Sequence, residues 1–220
     1  MRRIFSLLFL AIAPAAVISA ALASEPVNLS QTKQTLLQYH DSGAYEKDIN
    51  ATMLEALTYL KKRVAQPPKT GKLAIVLDID ETSLSNFASM RDMDFGGTFD
   101  QIREAEDKGD DTAIPATLDL YRYAKAHGVA VFFVTGRAEF ERAVTEKNLR
   151  QAGFSDWNKL VLRSKTQEHL KAAVYKTAVR KQLAEQGYRI VLNIGDQQSD
   201  LAGGYSEKTF KLPNPYYFIP

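Results

Sequence analysis

Apolar residues in the first third of the chain recur at helical spacing. Within residues 31–65 they follow one another every three or four positions, as Ile49 and Met53 do, which is the period of one helix face. The polar segment at residues 41–43, Asp-Ser-Gly, interrupts this pattern and predicts a break between two helices. The Pro- and Gly-containing residues 66–71 end the helical region.

Beyond residue 71 the pattern changes to short apolar runs separated by helical stretches. The runs are residues 73–77, 129–134, 160–162 and 190–194, and the helical stretches are residues 115–127, 138–152 and 167–186. Continuous short apolar runs are typical of strands that are buried on both faces. The alternation therefore predicts an α/β fold, a doubly wound parallel sheet covered by helices.

Residues 86–114 do not fit a simple crossover between two strands. They are polar, contain two adjacent glycines and include an acidic run. We predict a small, partly helical insertion over the sheet edge, and a solvated loop is the alternative. With residues 24–70 it would form a small, largely helical cap on a core of residues 71–220, although the N-terminal helices could instead pack behind the sheet.

The N-terminus has the pattern of an export signal. Two arginines precede a nearly continuous apolar or small stretch at residues 4–22, and Ala21-Leu22-Ala23 offers the small-x-small pattern of a cleavage site. We predict a signal peptide of residues 1–23, cut after Ala23, and a periplasmic or secreted protein without stable membrane association. The alternative is an uncleaved membrane anchor, since the apolar length is just enough to span a bilayer.

Charge and cysteine content exclude several function classes. The chain has 28 basic and 26 acidic residues, and removal of the leader with its two arginines leaves 26 of each. No net basic field then remains to hold polymeric nucleic acid. The absence of cysteine excludes disulfides, thiolate catalysis and cysteine-ligated zinc.

Polar residues, with one glycine among them, follow three of the four apolar runs. They are Asp78 and Asp80 after the first run, Thr135, Gly136 and Arg137 after the second, and Asp196 and Asp200 after the fourth. Ligands of open parallel sheets bind beyond the carboxyl ends of the strands. One such Asp alone is more often a helix cap or a turn former, so the convergence of three strand ends is what predicts a site.

The acids at these strand ends suggest metal-assisted phosphoryl chemistry. Carboxylates of Asp78, Asp80 and Asp196 would repel one another unless a cation neutralised them, and a site of oxygen ligands suits Mg²⁺. One carboxylate can attack phosphorus, and a second acid two residues along can protonate the leaving alcohol. A hydroxyl and a lysine or arginine would hold the phosphoryl oxygens.

These segments resemble a known enzyme family. DIDET at residues 78–82 is similar to the first motif of the haloacid dehalogenase (HAD) superfamily. Residues 174–176 (VYK), 187–191 (GYRIV), 195–201 (GDQQSDL) and 210–215 (FKLPNP) resemble the plant acid phosphatase and vegetative storage protein group. Bacterial class C acid phosphatases are similar as well. The resemblance covers roughly residue 45 to the end, with all four superfamily motifs in order.

The resemblance implies a role for each matching residue. Asp78 would be the nucleophile, Asp80 the general acid and base, and Thr135 the hydroxyl that binds the transferring phosphoryl group. Lys176 would neutralise the nucleophile and the phosphate.

The resemblance also implies the ligands of Mg²⁺. They would be Asp78, the backbone carbonyl of Asp80 and Asp196, and Asp200 would support the metal directly or through water.

Some of these residues could instead have simpler structural roles. Lys165 is a rival for the role of Lys176, which the residues alone would suggest is a solvated lysine. Arg137 could hold phosphate or simply pair with a neighbouring acid. Thr135 could be only a helix N-cap.

Aromatic residues near the tail are candidates for substrate binding. Tyr217 is the closest match to an aromatic that holds a nucleotide base in the bacterial relatives, and Phe95, Phe99 and Tyr216 are further candidates. Packing on the core is the alternative for each of them. The insertion lacks the tryptophans of the bacterial class, since the only one is Trp157, and this departure leaves nucleotide preference open.

We therefore expect a Mg²⁺-dependent acid phosphatase. It would hydrolyse small phosphate monoesters, with nucleoside 5′-monophosphates as candidates, through an aspartyl-phosphate on Asp78. The alternatives are a non-catalytic storage or binding protein on the same fold and a phosphotransferase to alcohols. Oligomerisation is left open by the sequence.

Overall fold

The computed structural model describes residues 25–220, and the predicted signal peptide with its cleavage site lies outside them. The helices are α1 (Leu29–Asp41), α2 (Ala44–Ala65), α3 (Phe87–Asp92), α4 (Phe99–Lys108), α5 (Pro115–Ala126), α6 (Arg142–Gln151), α7 (Ala172–Glu185) and α8 (Gln198–Leu201). The strands are β1 (Lys72–Leu77), β2 (Leu84–Ser85), β3 (Thr112–Ala113), β4 (Ala130–Ala138), β5 (Lys159–Arg163), β6 (Tyr188–Gly195) and β7 (Lys208–Lys211).

Five strands form one parallel sheet with the order β5-β4-β1-β6-β7. β1 lies in the middle, and its last residue, Leu77, is in register with Phe133 of β4 and Ile194 of β6. The carboxyl ends of these three strands therefore lie side by side. The predicted doubly wound α/β fold is confirmed.

Helices cover both faces of the sheet because its strands are apolar on both sides. Ile75 and Leu77 of β1 belong to a core that includes buried residues of α2 and α5. Ala74 and Val76 point to the other face, where they join a second core with residues of α7. The lack of polar alternation in the first apolar run follows from this double burial.

The segment between β1 and α5 is a small insertion that is mostly helical. It contains α3 and α4, and β2 and β3 pair as an antiparallel ribbon at its base. Phe87 of α3 stacks on His40, near the end of α1, and packs against Tyr216 of the tail. In the structure, α2 packs on a face of the sheet, and the end of α1 contacts the insertion.

The structure differs from the predicted elements at a few points. β7 was not predicted, since Phe210 is its only buried residue. β4 continues through Thr135 to Ala138, so the following α-helix begins at Arg142 and not at residue 138. None of the helices found between residues 25 and 220 has the length and apolar character that a bilayer crossing requires.

Candidate active site

Asp78 lies immediately beyond β1, at the centre of the sheet edge. Its backbone N–H donates to the Ile194 carbonyl of β6 at 3.0 Å, so the β1–β6 ladder fixes the start of the loop. The Lys176 ammonium of α7 donates to Asp78 Oδ1 at 2.5 Å. Both side chains are more than nine-tenths buried, and water therefore screens this ion pair little.

Three carboxylates meet at this point. Oxygens of Asp78, Asp196 and Asp200 lie within 4.8 Å of one another, and Lys176 also donates to Asp200 Oδ1 at 2.6 Å. Burial raises the pKa of Asp78, and the charges of Asp200 and Asp196 raise it further against the opposing effect of Lys176. One lysine leaves two negative charges unbalanced when all three carboxylates are ionised, so the cluster suits a divalent cation.

The Asp80 carboxylate is not part of this group of three, which corrects the expectation that it would lie with Asp78 and Asp196. It is turned toward the guanidinium of Arg137, whose Nη2 donates to Asp80 Oδ1 at 2.6 Å and whose Nε lies 3.1 Å from the same oxygen. Asn86 of the insertion donates to that oxygen at 2.9 Å. Burial alone would raise the pKa of Asp80, but the charge and hydrogen bonds of Arg137 lower it overall.

The guanidinium of Arg137 is paired with two acids. Besides Asp80 it contacts Asp111, at the end of the insertion, at 3.4 Å, and its side chain is 1% exposed. Of the two roles that the sequence left open for Arg137, the structure shows the pairing with neighbouring acids. The insertion and the core are therefore joined through this guanidinium.

Thr135 and Gly136 lie next to Arg137 in β4. The Thr135 hydroxyl is buried and accepts the backbone N–H of Arg137 at 3.1 Å. No helix begins there, so Thr135 is not a helix N-cap. Gly136 is exposed, and no heavy atom lies within 4 Å of the position that a Cβ would take. The backbone at Gly136 is thus open to a ligand.

The two candidate lysines lie in different environments. Lys176 is buried on α7 and reaches the nucleophile candidate, as described above. Lys165 is exposed in a short 3-10 turn after β5. The contact with Asp78 therefore belongs to Lys176.

Three hydroxyl residues that the sequence reasoning missed hold the loop after β1. Ser83 Oγ donates to the Asp78 carbonyl at 2.6 Å, and Thr82 Oγ1 donates to Asp196 Oδ1 at 3.3 Å. Thr117 Oγ1 of α5 donates to the Thr82 carbonyl at 2.6 Å. The only sequence signal for Thr82 and Ser83 was their position directly after the acids of the first motif. Hydroxyl residues are common near turns, so this position alone did not identify them as site residues.

Two amide side chains orient Asp196, and sequence reasoning missed them as well. Gln197 Nε2 and Asn214 Nδ2 donate to Asp196 Oδ2 at 2.6 Å and 2.7 Å. Asn214 Oδ1 in turn accepts the backbone N–H of Tyr216 at 2.9 Å. The C-terminal tail is therefore tied to a carboxylate of the cluster.

The tail forms one wall of a groove beside Asp196. This groove has a volume of about 400 Å³, and Asp196, Asn214 and Tyr217 are among its lining residues. Tyr217 also packs against the main core, and burial, followed by the charge of Asp196, raises the pKa of its phenol. Tyr216 also lines this groove, and its ring packs on Phe95, with ring centroids 5.8 Å apart. The side chain of Phe99 lies outside the described part of the structure.

Comparisons with known proteins identify the family of this chain. The family model described as "HAD superfamily, subfamily IIIB (Acid phosphatase)" matches residues 11–220. The chain is 38% identical to acid phosphatase 1 of Solanum lycopersicum over 186 residues, which cover 83% of this chain and 72% of the relative. It is also 38% identical to the stem 28 kDa glycoprotein of Glycine max over 188 residues, with the same coverage.

A solved structure shares the fold over most of the chain. The class C acid phosphatase from Bacillus anthracis superposes with a TM-score of 0.70 at 25% identity, and the match covers 87% of each chain. The resemblance inferred from the motifs is therefore confirmed. The chain belongs to subfamily IIIB of the HAD superfamily, the acid phosphatases, and is a phosphomonoesterase that acts on small phosphate monoesters.

Proposed function

We propose that this phosphomonoesterase depends on Mg²⁺ and works through an aspartyl-phosphate on Asp78. The observation that carries the proposal is the buried Asp78 carboxylate, which lies 2.5 Å from the Lys176 ammonium and within 4.8 Å of two further carboxylates. A buried carboxylate beside the Lys176 ammonium is suited to act as the nucleophile. A carboxylate on the surface would have neither the burial nor the neighbouring ammonium.

The reaction has two steps. In the first, an Asp78 oxygen forms a bond to phosphorus while the ester P–O bond breaks, and the leaving oxygen takes the proton of Asp80. In the second, water attacks the phosphorus, Asp80 takes the proton of that water, and the Asp78–phosphorus bond breaks to release phosphate. Arg137 lowers the pKa of Asp80, which favours the ionised carboxylate that accepts the proton of water in the second step. Because of the same shift, the protonated form that the first step requires is abundant only at low pH.

The carboxylates of Asp78, Asp196 and Asp200 and the carbonyl of Asp80 would hold the metal. Bound Mg²⁺ would neutralise phosphate oxygens that these carboxylates otherwise repel. Lys176, the Thr135 hydroxyl and the open backbone at Gly136 would contact the remaining phosphoryl oxygens. Arg137 would position Asp80 and would not bind the phosphate, because its donors are already directed at Asp80 and Asp111.

The proposal is tested on the mature chain after treatment with EDTA. Phosphate release from p-nitrophenyl phosphate should disappear without metal, return with Mg²⁺ and be lost in Asp78→Asn. Asp119→Asn, which removes an exposed carboxylate on α5, is the matched control and should behave as wild type. An active Asp78→Asn enzyme would refute the nucleophile, and a folded but inactive wild type would favour a storage or binding role. New phosphate ester formed with an added alcohol would measure phosphotransfer.

Nucleoside 5′-monophosphates are the candidate substrates because Tyr217 lines the groove beside Asp196. A base stacked on this ring contributes about 1–3 kcal/mol. Tyr217→Ala should therefore raise KM for nucleoside monophosphates about tenfold or more and leave KM for p-nitrophenyl phosphate nearly unchanged. Equal changes for both substrates would show that Tyr217 only packs on the core.

Export is part of the proposal. The basic residues, apolar stretch and Ala21-Leu22-Ala23 pattern at the N-terminus support a periplasmic or secreted enzyme that begins at Ser24. N-terminal sequencing of the protein from cells that export it is the test. An intact leader on the active protein would point to the anchored form.

A further inference from the structure

The turn between Asp80 and Thr82 depends on a residue that the proposed chemistry does not use. Glu81 is fully buried, and its backbone is in the left-handed region with φ of 52°. A non-glycine residue adopts this conformation only where its surroundings hold it there. One contact that fixes this conformation is a hydrogen bond, in which Glu81 Oε1 accepts the backbone N–H of Asn86 in the insertion at 2.5 Å.

Three buried oxygens near this turn lack partners. Among residues 25–220, the second carboxylate oxygen of Glu81 and the hydroxyls of Tyr45 and Tyr216 have no hydrogen-bond partner. The two tyrosine rings are neighbours, with centroids 5.5 Å apart. Phe87, which directly follows Asn86, packs against Tyr216 with ring centroids 5.5 Å apart, so the Glu81 carboxylate and the two hydroxyls belong to one buried junction. After burial, the charge of Glu81 raises the pKa of each hydroxyl. Buried polar groups are satisfied by protein or by ordered water in nearly all proteins.

We propose that Glu81 is a positioning residue whose second oxygen accepts hydrogen bonds from Tyr45 and Tyr216 through a shared buried water. Tyr45 belongs to α2, Tyr216 to the C-terminal tail and Asn86 to the insertion. The carboxylate thus joins three separate parts of the chain to the turn between Asp80 and Thr82. For its effect on catalysis, the inference rests on the proposed function.

The position of Glu81 in the sequence explains why this network would matter. Asp80, directly before it, is held by Arg137, and Thr82, directly after it, donates to Asp196. A shift of Glu81 therefore moves the acid–base group and a contact of the metal cluster together. Small displacements of catalytic groups lower the rate of chemistry more than they weaken substrate binding, so kcat should change and KM should not.

Conservative variants test the network. Tyr45→Phe and Tyr216→Phe each remove one hydroxyl, and each should lower kcat about tenfold while KM stays within twofold. The double variant should lose no more than the worse single variant, because both act through one carboxylate. Tyr121→Phe is the matched control: its hydroxyl is also buried, but its ring packs against Phe133 and Phe154, so kcat of this variant should stay within twofold. Unchanged kcat in both single variants, or losses that multiply in the double variant, would overturn the proposal.

A second measurement does not need activity. The urea midpoints of Tyr45→Phe, Glu81→Gln and the double variant form a cycle, and the double variant should shift the midpoint no further than the larger single shift. Additive shifts would overturn the network. If Glu81→Gln fails to fold, the two phenylalanine variants form the same cycle. A wild type without phosphatase activity would refute the proposed function, while this cycle would still decide on the network.

Discussion

At the scale of single residues, the site consists of buried charges that are held by other buried charges. Lys176 joins Asp78 to Asp200, and Arg137 joins Asp80 to Asp111. Removal of one partner from such a pair leaves the other charged and desolvated, which costs about 3–5 kcal/mol. Function and stability therefore depend on the same side chains.

Lys176→Met should lose both activity and stability. We expect kcat to fall at least about a hundredfold, as on loss of a group that stabilises the transition state. The metal-free protein should lose about 3 kcal/mol of unfolding free energy. Steady-state kinetics and urea unfolding measure the two effects. The control is Lys181→Met, which removes an exposed lysine of the same helix; similar losses in that variant would show that α7 is simply intolerant of the change.

Arg137→Lys should impair catalysis although it keeps the positive charge. A lysine cannot reproduce the two-donor contact of Arg137 with Asp80, because only the guanidinium offers a rigid fork of donors. We expect kcat to fall about ten- to a hundredfold, with KM changing much less. Arg142→Lys, at an exposed pair with Glu139, should have wild-type kinetics. Wild-type kcat in Arg137→Lys would show that Asp80 is positioned by other contacts.

Many of the site residues could be predicted because the ends of buried strands can be located from the apolar runs in the sequence. Asp78, Thr135 and Asp196 follow apolar runs, and parallel pairing brings them together. Lys176 comes from a helix and was identified only through resemblance to a family. The partners of Arg137 could not be predicted, because Asp111 belongs to the insertion, whose path over the core is not fixed by any periodicity.

At the scale of elements, the three inner strands and the edge strand β5 were predicted from the sequence, and the other edge strand, β7, was not. The run in β1 is apolar throughout, but β7 has one inward residue, Phe210, among exposed polar ones. Helix starts were also misjudged after β4 and β5, where extended backbone or a short 3-10 turn precedes the helix. Periodicity alone does not distinguish such segments from a first helical turn.

Glu207 connects α2 with the outer half of the sheet. It accepts hydrogen bonds from Tyr59 and Arg63 of α2 at 2.9 Å and 2.8 Å, and it pairs with Arg189 of β6. Partial burial acts to raise the pKa of Glu207, but these partners lower it overall. A carboxyl whose pKa is lowered in the folded state adds stability above its unfolded pKa, and this stability is lost as the pH falls through the folded value.

Glu207→Gln should therefore cost about 1 kcal/mol of unfolding free energy at pH 7 and less at pH 3, because the contribution of Glu207 declines as the pH falls toward and through its lowered pKa in the folded state. Urea unfolding at the two pH values measures the difference. Glu185→Gln is the control, because its exposed pair with Lys181 at 3.9 Å should contribute little at either pH. A loss that is equal at both pH values would show that the charge of Glu207 is unimportant.

At the scale of the whole molecule, the unbalanced carboxylates should make stability depend on metal. Mg²⁺ at a hundred times its dissociation constant would add about 2.7 kcal/mol to the folded state, visible as a higher Tm. Asp196→Asn relieves part of the repulsion, so the metal-free variant should melt above metal-free wild type. Its response to Mg²⁺ should be much smaller.

Thermal melts with EDTA and with Mg²⁺ measure this prediction, and the exposed-site variant Asp119→Asn is the control. Equal Mg²⁺ responses in wild type and Asp196→Asn would place the metal elsewhere.

The central position of β1 also has a consequence for how the enzyme becomes active. Lys176 lies 98 residues after Asp78, and Leu77 pairs with Ile194 across a similar separation. Contacts between such distant segments carry a large loop-closure entropy and form late in folding. Recovery of turnover on refolding should therefore lag behind the return of helical signal, and catalysis would report completion of the fold. During synthesis from the N-terminus, Asp78 would be present in the chain well before Lys176, so the Asp78–Lys176 pair could form only near the end of synthesis.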